Sequence, residues 1–254
     1  MNEIPIKKIS VQNVSKYFRI GFHKNDNALS RVLSLLLGRE SKKPITVLDS
    51  ISFDVFSGEN VGIIGSNGSG KSTLLRTIAN IYYPDQGLIE NNGEVIYING
   101  FGLGLKQRLS MRDNIYLIGS IMGLSHKEIK KRFQEIVTFS ELENFVDTKV
   151  YQFSSGMLSR LCFSTTIHCL EQKNPDIILL DEVFGTGGDL NFQNKAIAKI
   201  EEFIKGGAAV ILVSHDLEII KKYCNRALFL KNGKIIQAGK PSEIIDAYIN
   251  NMNN

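Results

Sequence analysis

Short apolar runs alternate along this chain with segments whose apolar residues recur every three to four positions, so strands and helices are expected to alternate. Val61–Ile64, Asp176–Leu180, Ala208–Val213 and Ala227–Leu230 read as buried strands. Ile9-Ser10-Val11 and Ile51-Ser52-Phe53-Asp54-Val55 instead alternate with period two, as half-exposed antiparallel strands do. Asn232-Gly233, between Phe229-Leu230 and Ile235-Ile236, reads as a hairpin turn. From Leu103 to Leu170 the strand signal disappears and helical spacing takes over. There Ser125-His126-Lys127-Glu128 forms a capping box opening a helix toward Phe139. The pattern predicts an α/β core with a largely parallel sheet, an antiparallel β portion and an inserted, mostly helical unit.

One apolar stripe stands outside that frame. Leu29, Val32, Leu33, Leu36 and Leu37 fall on one helical face, widened by Ala28 and Leu35, with Asn27 able to cap the start and Gly38 the end. About three turns are too short to span a bilayer. Two readings stay open: a helix packed on its own domain, or an interfacial helix with Arg31, Arg39, Lys42 and Lys43 at the level of lipid headgroups.

Composition narrows the class. At 254 residues, 43% hydrophobic and 22% charged, the chain is an ordinary globular sequence. It has no apolar run of the ~20 residues a membrane span needs, and Met1-Asn2-Glu3-Ile4-Pro5 does not open a signal peptide. Membrane association is therefore expected to be peripheral or through a partner. Cys162, Cys169 and Cys224 are odd in number, lack metal spacing and sit in apolar surroundings, so buried thiols in a reducing compartment are expected. The net charge of +4 is uneven, because residues 1–43 carry nine Lys and Arg against three Asp and Glu, a local +6. A solvated face, anionic lipid or nucleic acid would each suit that charge.

The chemistry is concentrated in a few strand ends. Gly65-Ser66-Asn67-Gly68-Ser69-Gly70-Lys71-Ser72-Thr73 follows the strand Val61–Ile64 and precedes the helical run from Leu74. This is G-x-x-x-x-G-K-[ST] in its strand–loop–helix setting. Its glycines let backbone N–H groups curl around phosphate oxygens, and the helix N-terminus adds its positive end. Lys71 is expected to reach the β- and γ-phosphates and the Ser72 hydroxyl to bind Mg²⁺. A nucleoside triphosphate site is implied. Ile177–Leu180 ends in Asp181-Glu182, which alone is a common surface pair. Beside a phosphate loop, Asp181 suits Mg²⁺ and Glu182 suits the general base that polarises an attacking water. Val210–Val213 ends in Ser214-His215, placing His215 to hydrogen-bond a γ-phosphate and that water. Ser154 and Ser155, before Gly156-Met157, read neutrally as a helix cap.

In this order the motifs resemble one family, the ATPase subunits of ATP-binding-cassette (ABC) transporters, over nearly the whole chain. The resemblance implies a single cassette over 1–254. Its P-loop α/β core would be 1–102 and 171–254, with an antiparallel β subdomain, a helical signature subdomain at 103–170 and an inserted amphipathic helix at 27–39. It also implies that Phe153-Ser154-Ser155-Gly156-Met157 is the signature, with Ser154, Ser155 and Gly156 contacting ATP held by the other subunit of a homodimer. The adenine-stacking aromatic matches Phe18, with Tyr17 as the alternative. ATP and Mg²⁺ are the implied ligands, with Ser72 and Asp181 holding the metal.

The S-S-G-M signature is similar to that of exporters of bacterial polysaccharide, meaning O-antigen, capsule and teichoic acid. Leu109-Ser110-Met111-Arg112-Asp113-Asn114-Ile115-Tyr116-Leu117 and the C-terminal Ile235–Tyr248 also look like that branch. The implied partners are a separate multi-span permease and an anionic membrane surface, with no nucleic acid. The implied place is the cytoplasmic face of the inner membrane, and O-antigen is the first-choice cargo. A soluble ABC ATPase serving as an assembly factor would share every ATP motif without needing the 27–38 helix. Two departures from the family stand out. Asn99–Gly102 holds no glutamine where most members carry one, and Gly185-Thr186-Gly187-Gly188-Asp189 is one residue longer than usual.

Overall fold

The computed structural model describes residues 5–18, 44–99, 104–173, 175–183 and 190–252. The helix expected over 27–39 and the loop ending at Asp189 lie outside those residues.

Two sheets carry the architecture. In the larger, β5 (Val95–Asn99), β6 (Ile177–Asp181), β7 (Ala209–Val213), β3 (Asn60–Ile64), β8 (Arg226–Lys231) and β9 (Lys234–Gly239) lie side by side in that order. All neighbours run parallel except β8 and β9, which form the hairpin read from Asn232-Gly233. The apolar runs are explained by coverage on both faces. Within β6, Ile178 and Leu180 enter one core cluster while Ile177 and Leu179 enter the other. A strand buried on both sides has no polar face to alternate with.

The smaller sheet is antiparallel, in the order β2 (Ile45–Phe56), β1 (Lys7–Phe18), β4 (Gln86–Asn91). In β1, Val11 and Val14 are both buried although three residues apart. The register slips between them, and Asn13 adopts φ 49°. An extra residue in a left-handed conformation, which Asn tolerates, resets the alternation. Strand β4 escaped the pattern because Gln86-Gly87-Leu88-Ile89-Glu90-Asn91 has only Ile89 and Asn91 even partly buried.

The helical region consists of α2 (Met111–Ile121), α3 (His126–Ser140) and α4 (Ser155–Lys173); α1 is Lys71–Ile78 of the core. Ser110 with Asp113 and Ser125 with Glu128 form capping boxes at the starts of α2 and α3. Met111, Ile115, Ile129, Ile136 and Leu161 share an apolar cluster of their own. Helix α4 serves two cores, since Leu161 and Cys169 face that cluster while Phe163, Ile167 and Leu170 join the main one. Cys162, Cys169 and Cys224 are all buried, and burial pushes the Cys224 thiol up to about 12. Among the described residues no helix is long and apolar enough to cross a membrane.

Helix α5 (Leu190–Lys205) follows β6 in the core, and Glu171 near the end of α4 ties it to the helical region. The Glu171 carboxylate accepts from Arg132 of α3 at 2.6 Å and from Lys199 of α5 at 2.5 Å. Burial would raise its pKa, but Lys199, His168 and Arg132 outweigh it and hold the group below its ordinary 4.5. A carboxyl depressed on folding contributes stability that is present above its unfolded pKa and lost as pH falls through the folded one. Glu171→Gln is therefore expected to cost about 1–3 kcal/mol at pH 7. The gap from wild type should narrow below about pH 4, as read from denaturant melts across that range.

Candidate functional site

The loop between β3 and α1 is shaped by close backbone approach. A Cβ on Gly65 would meet the Leu230 carbonyl at 2.1 Å, and Gly70 sits at φ 108° with the Val47 carbonyl 2.8 Å from where a Cβ would be. Larger residues would push this loop off β8 and β2. Gly70 gives α1 no side-chain cap, and the first turn of α1 has no acidic residue. The first intrahelical bond runs from the Leu74 N–H to the Gly70 carbonyl, so the earlier N–H groups are left for another acceptor.

Lys71 is 6% exposed and curls over the loop, donating to the Gly65 carbonyl at 2.8 Å and the Ser66 carbonyl at 3.0 Å. Burial lowers its pKa, opposed by the charges of Glu182 and Asp181. The Ser69 hydroxyl is buried without a hydrogen-bond partner. An uncapped helix start, a cation and an orphaned hydroxyl facing one loop suit a polyphosphate.

Facing the loop is the end of β6. Asp181 is 1% exposed, and its Oδ1 accepts from the Ser72 hydroxyl at 3.1 Å. A hydroxyl beside a buried carboxylate is the donor set a hard divalent cation uses, so these two residues fit Mg²⁺. Glu182 follows at φ 57°, a left-handed conformation uncommon outside glycine. That turn swings its carboxylate out of the strand to His215, whose Nε2 lies 2.7 Å from Oε1. Both side chains are about half exposed at the mouth of the site. Ser72, Asp181, Glu182 and His215, far apart in the chain, thus meet at the parallel strand ends, where ligands of open α/β sheets bind.

The remaining expected residues lie around this centre. Phe18 ends β1, its ring meeting Tyr82 edge-on at 5.5 Å between centroids, with the Lys16 ammonium 5.6 Å from the ring. Ser154 caps α4 by accepting from the Met157 N–H at 3.2 Å, and Ser155 and Gly156 open the helix. Among the described residues no hydrogen bond or ion pair joins these three to the loop 65–73. Asn99 pairs in register with Asp181, while Gln107 lies exposed in the turn before α2.

Tyr97 and Arg76 were not singled out from the sequence. Tyr97 pairs with Leu179 on the neighbouring strand, two residues before Asp181, so both side chains share one sheet face. A tyrosine at even spacing beside the acidic strand end was the available signal.

A phosphate-type loop beside an acidic strand end on a parallel sheet defines a candidate nucleoside triphosphate site, and comparison with known proteins gives the family. The family model described as ABC transporter matches residues 48–185. The O-antigen export system ATP-binding protein RfbB of Klebsiella pneumoniae is 37% identical over 94% of this chain and 96% of its own length. The teichoic acids export ATP-binding protein TagH of Lactococcus lactis is 38% identical over 95% of this chain but only 50% of its own. A solved dimeric ATP-binding cassette in a post-hydrolysis state, bound to ADP and phosphate, shares the fold. Its TM-score is 0.70 at 22% identity, covering 92% of this chain and 98% of that one. The chain belongs to the ABC transporter family, as an ATP-hydrolysing cassette.

Proposed function

We propose that this chain is the ATPase subunit of an exporter that moves a lipid-linked polysaccharide, O-antigen first and capsule second, across the inner membrane. It works as a homodimer on the cytoplasmic face, beside a separate multi-span permease. The whole chain is one cassette, with 103–170 as its signature subdomain and 27–39 as a helix seated at the anionic membrane surface. Supporting the cargo class are the relatives named for O-antigen and teichoic acid export, which align along 94–95% of this chain.

The observation that carries the ATPase mechanism is the meeting of Ser72 and Asp181 at 3.1 Å and of Glu182 and His215 at 2.7 Å beside the uncapped loop. Residues 65–73 wrap the phosphates through backbone N–H groups, Lys71 compensates their charge, and Phe18 stacks on the adenine. Ser72 and Asp181 hold Mg²⁺, which when bound neutralises charge on the phosphate oxygens. Glu182 takes the proton of the attacking water, and His215 holds that carboxylate through Nε2 or, turned to the γ-phosphate, donates there instead. Ser154, Ser155 and Gly156 present the open start of α4 to the phosphate held by the other subunit.

The test is association. Mg-ATP is expected to shift the Glu182→Gln protein from monomer to dimer in sedimentation velocity. Ser154→Arg in the same background should abolish the shift, because its bulk and lost cap fall at the shared phosphate. A dimer population indifferent to ATP, or to Ser154→Arg, would remove the intersubunit sandwich. Deleting the chromosomal gene should abolish surface polysaccharide while its lipid-linked precursor accumulates inside.

A further inference from the structure

The buried carboxylate of Asp181 is held on both oxygens. Ser72 donates to Oδ1, and the Tyr97 hydroxyl donates to Oδ2 at 2.9 Å. The direction of the second bond is forced by the donor inventory. Arg76, on the α1 helix that follows the phosphate loop, donates through Nε to the Tyr97 oxygen at 3.2 Å. A guanidinium can only donate, so the Tyr97 oxygen accepts from it and its single proton is left for Asp181. On its far side Arg76 reaches the Tyr82 hydroxyl at 3.5 Å, which fixes the guanidinium in turn.

We propose that Tyr97, oriented by Arg76, is a positioning residue that fixes the rotation of Asp181 and presents one chosen oxygen to the divalent cation. This rests on the reading of Asp181 and Ser72 as the cation's ligands. A carboxylate bonded only by Ser72 could rotate about its terminal torsion, which is soft. With Oδ2 committed to Tyr97, Oδ1 is the oxygen that faces Ser72 and the phosphate loop. Partners that orient a ligating carboxylate contribute about 10–100-fold to metal affinity in comparable sites. Among the described residues no hydrogen bond or ring contact joins Tyr97 to the loop 65–73 or to the adenine-side Phe18, so its effect should appear in cation binding and not in nucleotide binding itself.

The experiment saturates the full-length protein with a non-hydrolysable ATP analogue and titrates Mn²⁺, following its paramagnetic resonance spectrum. Tyr97→Phe should weaken Mn²⁺ binding about 10–100-fold. Affinity for the analogue in EDTA should stay at the wild-type value. Arg76→Met should give a smaller loss. Combined with Tyr97→Phe it should add nothing, since both act through one hydroxyl. Unchanged Mn²⁺ affinity in Tyr97→Phe overturns the proposal. So does a parallel fall in EDTA-measured affinity, which marks a packing role. Asp181→Asn is the reference: if it too binds Mn²⁺ like wild type, the assignment of Asp181 as ligand fails, and not only the role of Tyr97.

Discussion

Glu182→Gln is expected to bind ATP normally while hydrolysing it about 10²–10⁴-fold more slowly, the range a positioned general base supplies. The substitution keeps the shape of the side chain and its contact with His215 but removes the proton acceptor. The backbone argues that this placement is deliberate. Glu182 holds φ 57° while its N–H still bonds the Val213 carbonyl at 3.0 Å, so the ladder of β6 continues as the side chain turns outward. A non-glycine residue in that conformation costs of order 1–3 kcal/mol, which the surrounding fold must offset. Phosphate release and equilibrium ATP binding, measured on the same preparation, check the prediction. A variant that turns over near the wild-type rate would move the base to another residue.

Lys71→Ala should act one step earlier, weakening ATP binding by about 1.5–3 kcal/mol, or roughly 10- to 10²-fold. The ammonium is buried and bonded to the Gly65 and Ser66 carbonyls, which aims it along the loop. Alanine removes the cation facing the triphosphate and also leaves those carbonyls without their donor. Lys71→Arg is not expected to rescue, because the planar fork is larger than an ammonium and this position is 6% exposed. Isothermal titration with ATP in EDTA isolates the effect from metal and turnover. Wild-type affinity in Lys71→Ala would remove the phosphate-binding assignment of the loop.

Much of this site could be read before any fold was known, because its parts are local. The residues 65–73 form a continuous loop whose glycine spacing and flanking strand and helix are visible in one stretch of chain. Asp181-Glu182 and Ser214-His215 each end an apolar run, and strand ends on one edge of a parallel sheet are brought together by topology alone. The apolar runs, the Asn232-Gly233 hairpin and the Ser125 capping box were legible for the same reason. Period, turn chemistry and caps are properties of a few neighbouring residues.

What the chain's order concealed was set by tertiary packing. The edge strand Gln86–Asn91 has too little apolar surface to show a period, and only pairing with Ser10, Val11 and their neighbours makes it a strand. The mixed faces of α4 have meaning only once two cores lie on either side of it. Tyr97 and Arg76 looked like an ordinary strand tyrosine and helix arginine. The pairing of Val95–Asn99 with Ile177–Asp181 brings the Tyr97 hydroxyl to the Asp181 carboxylate, and α1 carries Arg76 to the same oxygen. The sequence by itself determined which chemistry the candidate site proposes, because phosphate, metal and proton chemistry demand particular residue types at short spacings. The tertiary structure alone decided how those groups are held, because a hydrogen bond between residues 84 apart depends on strand order and helix packing that no local pattern records.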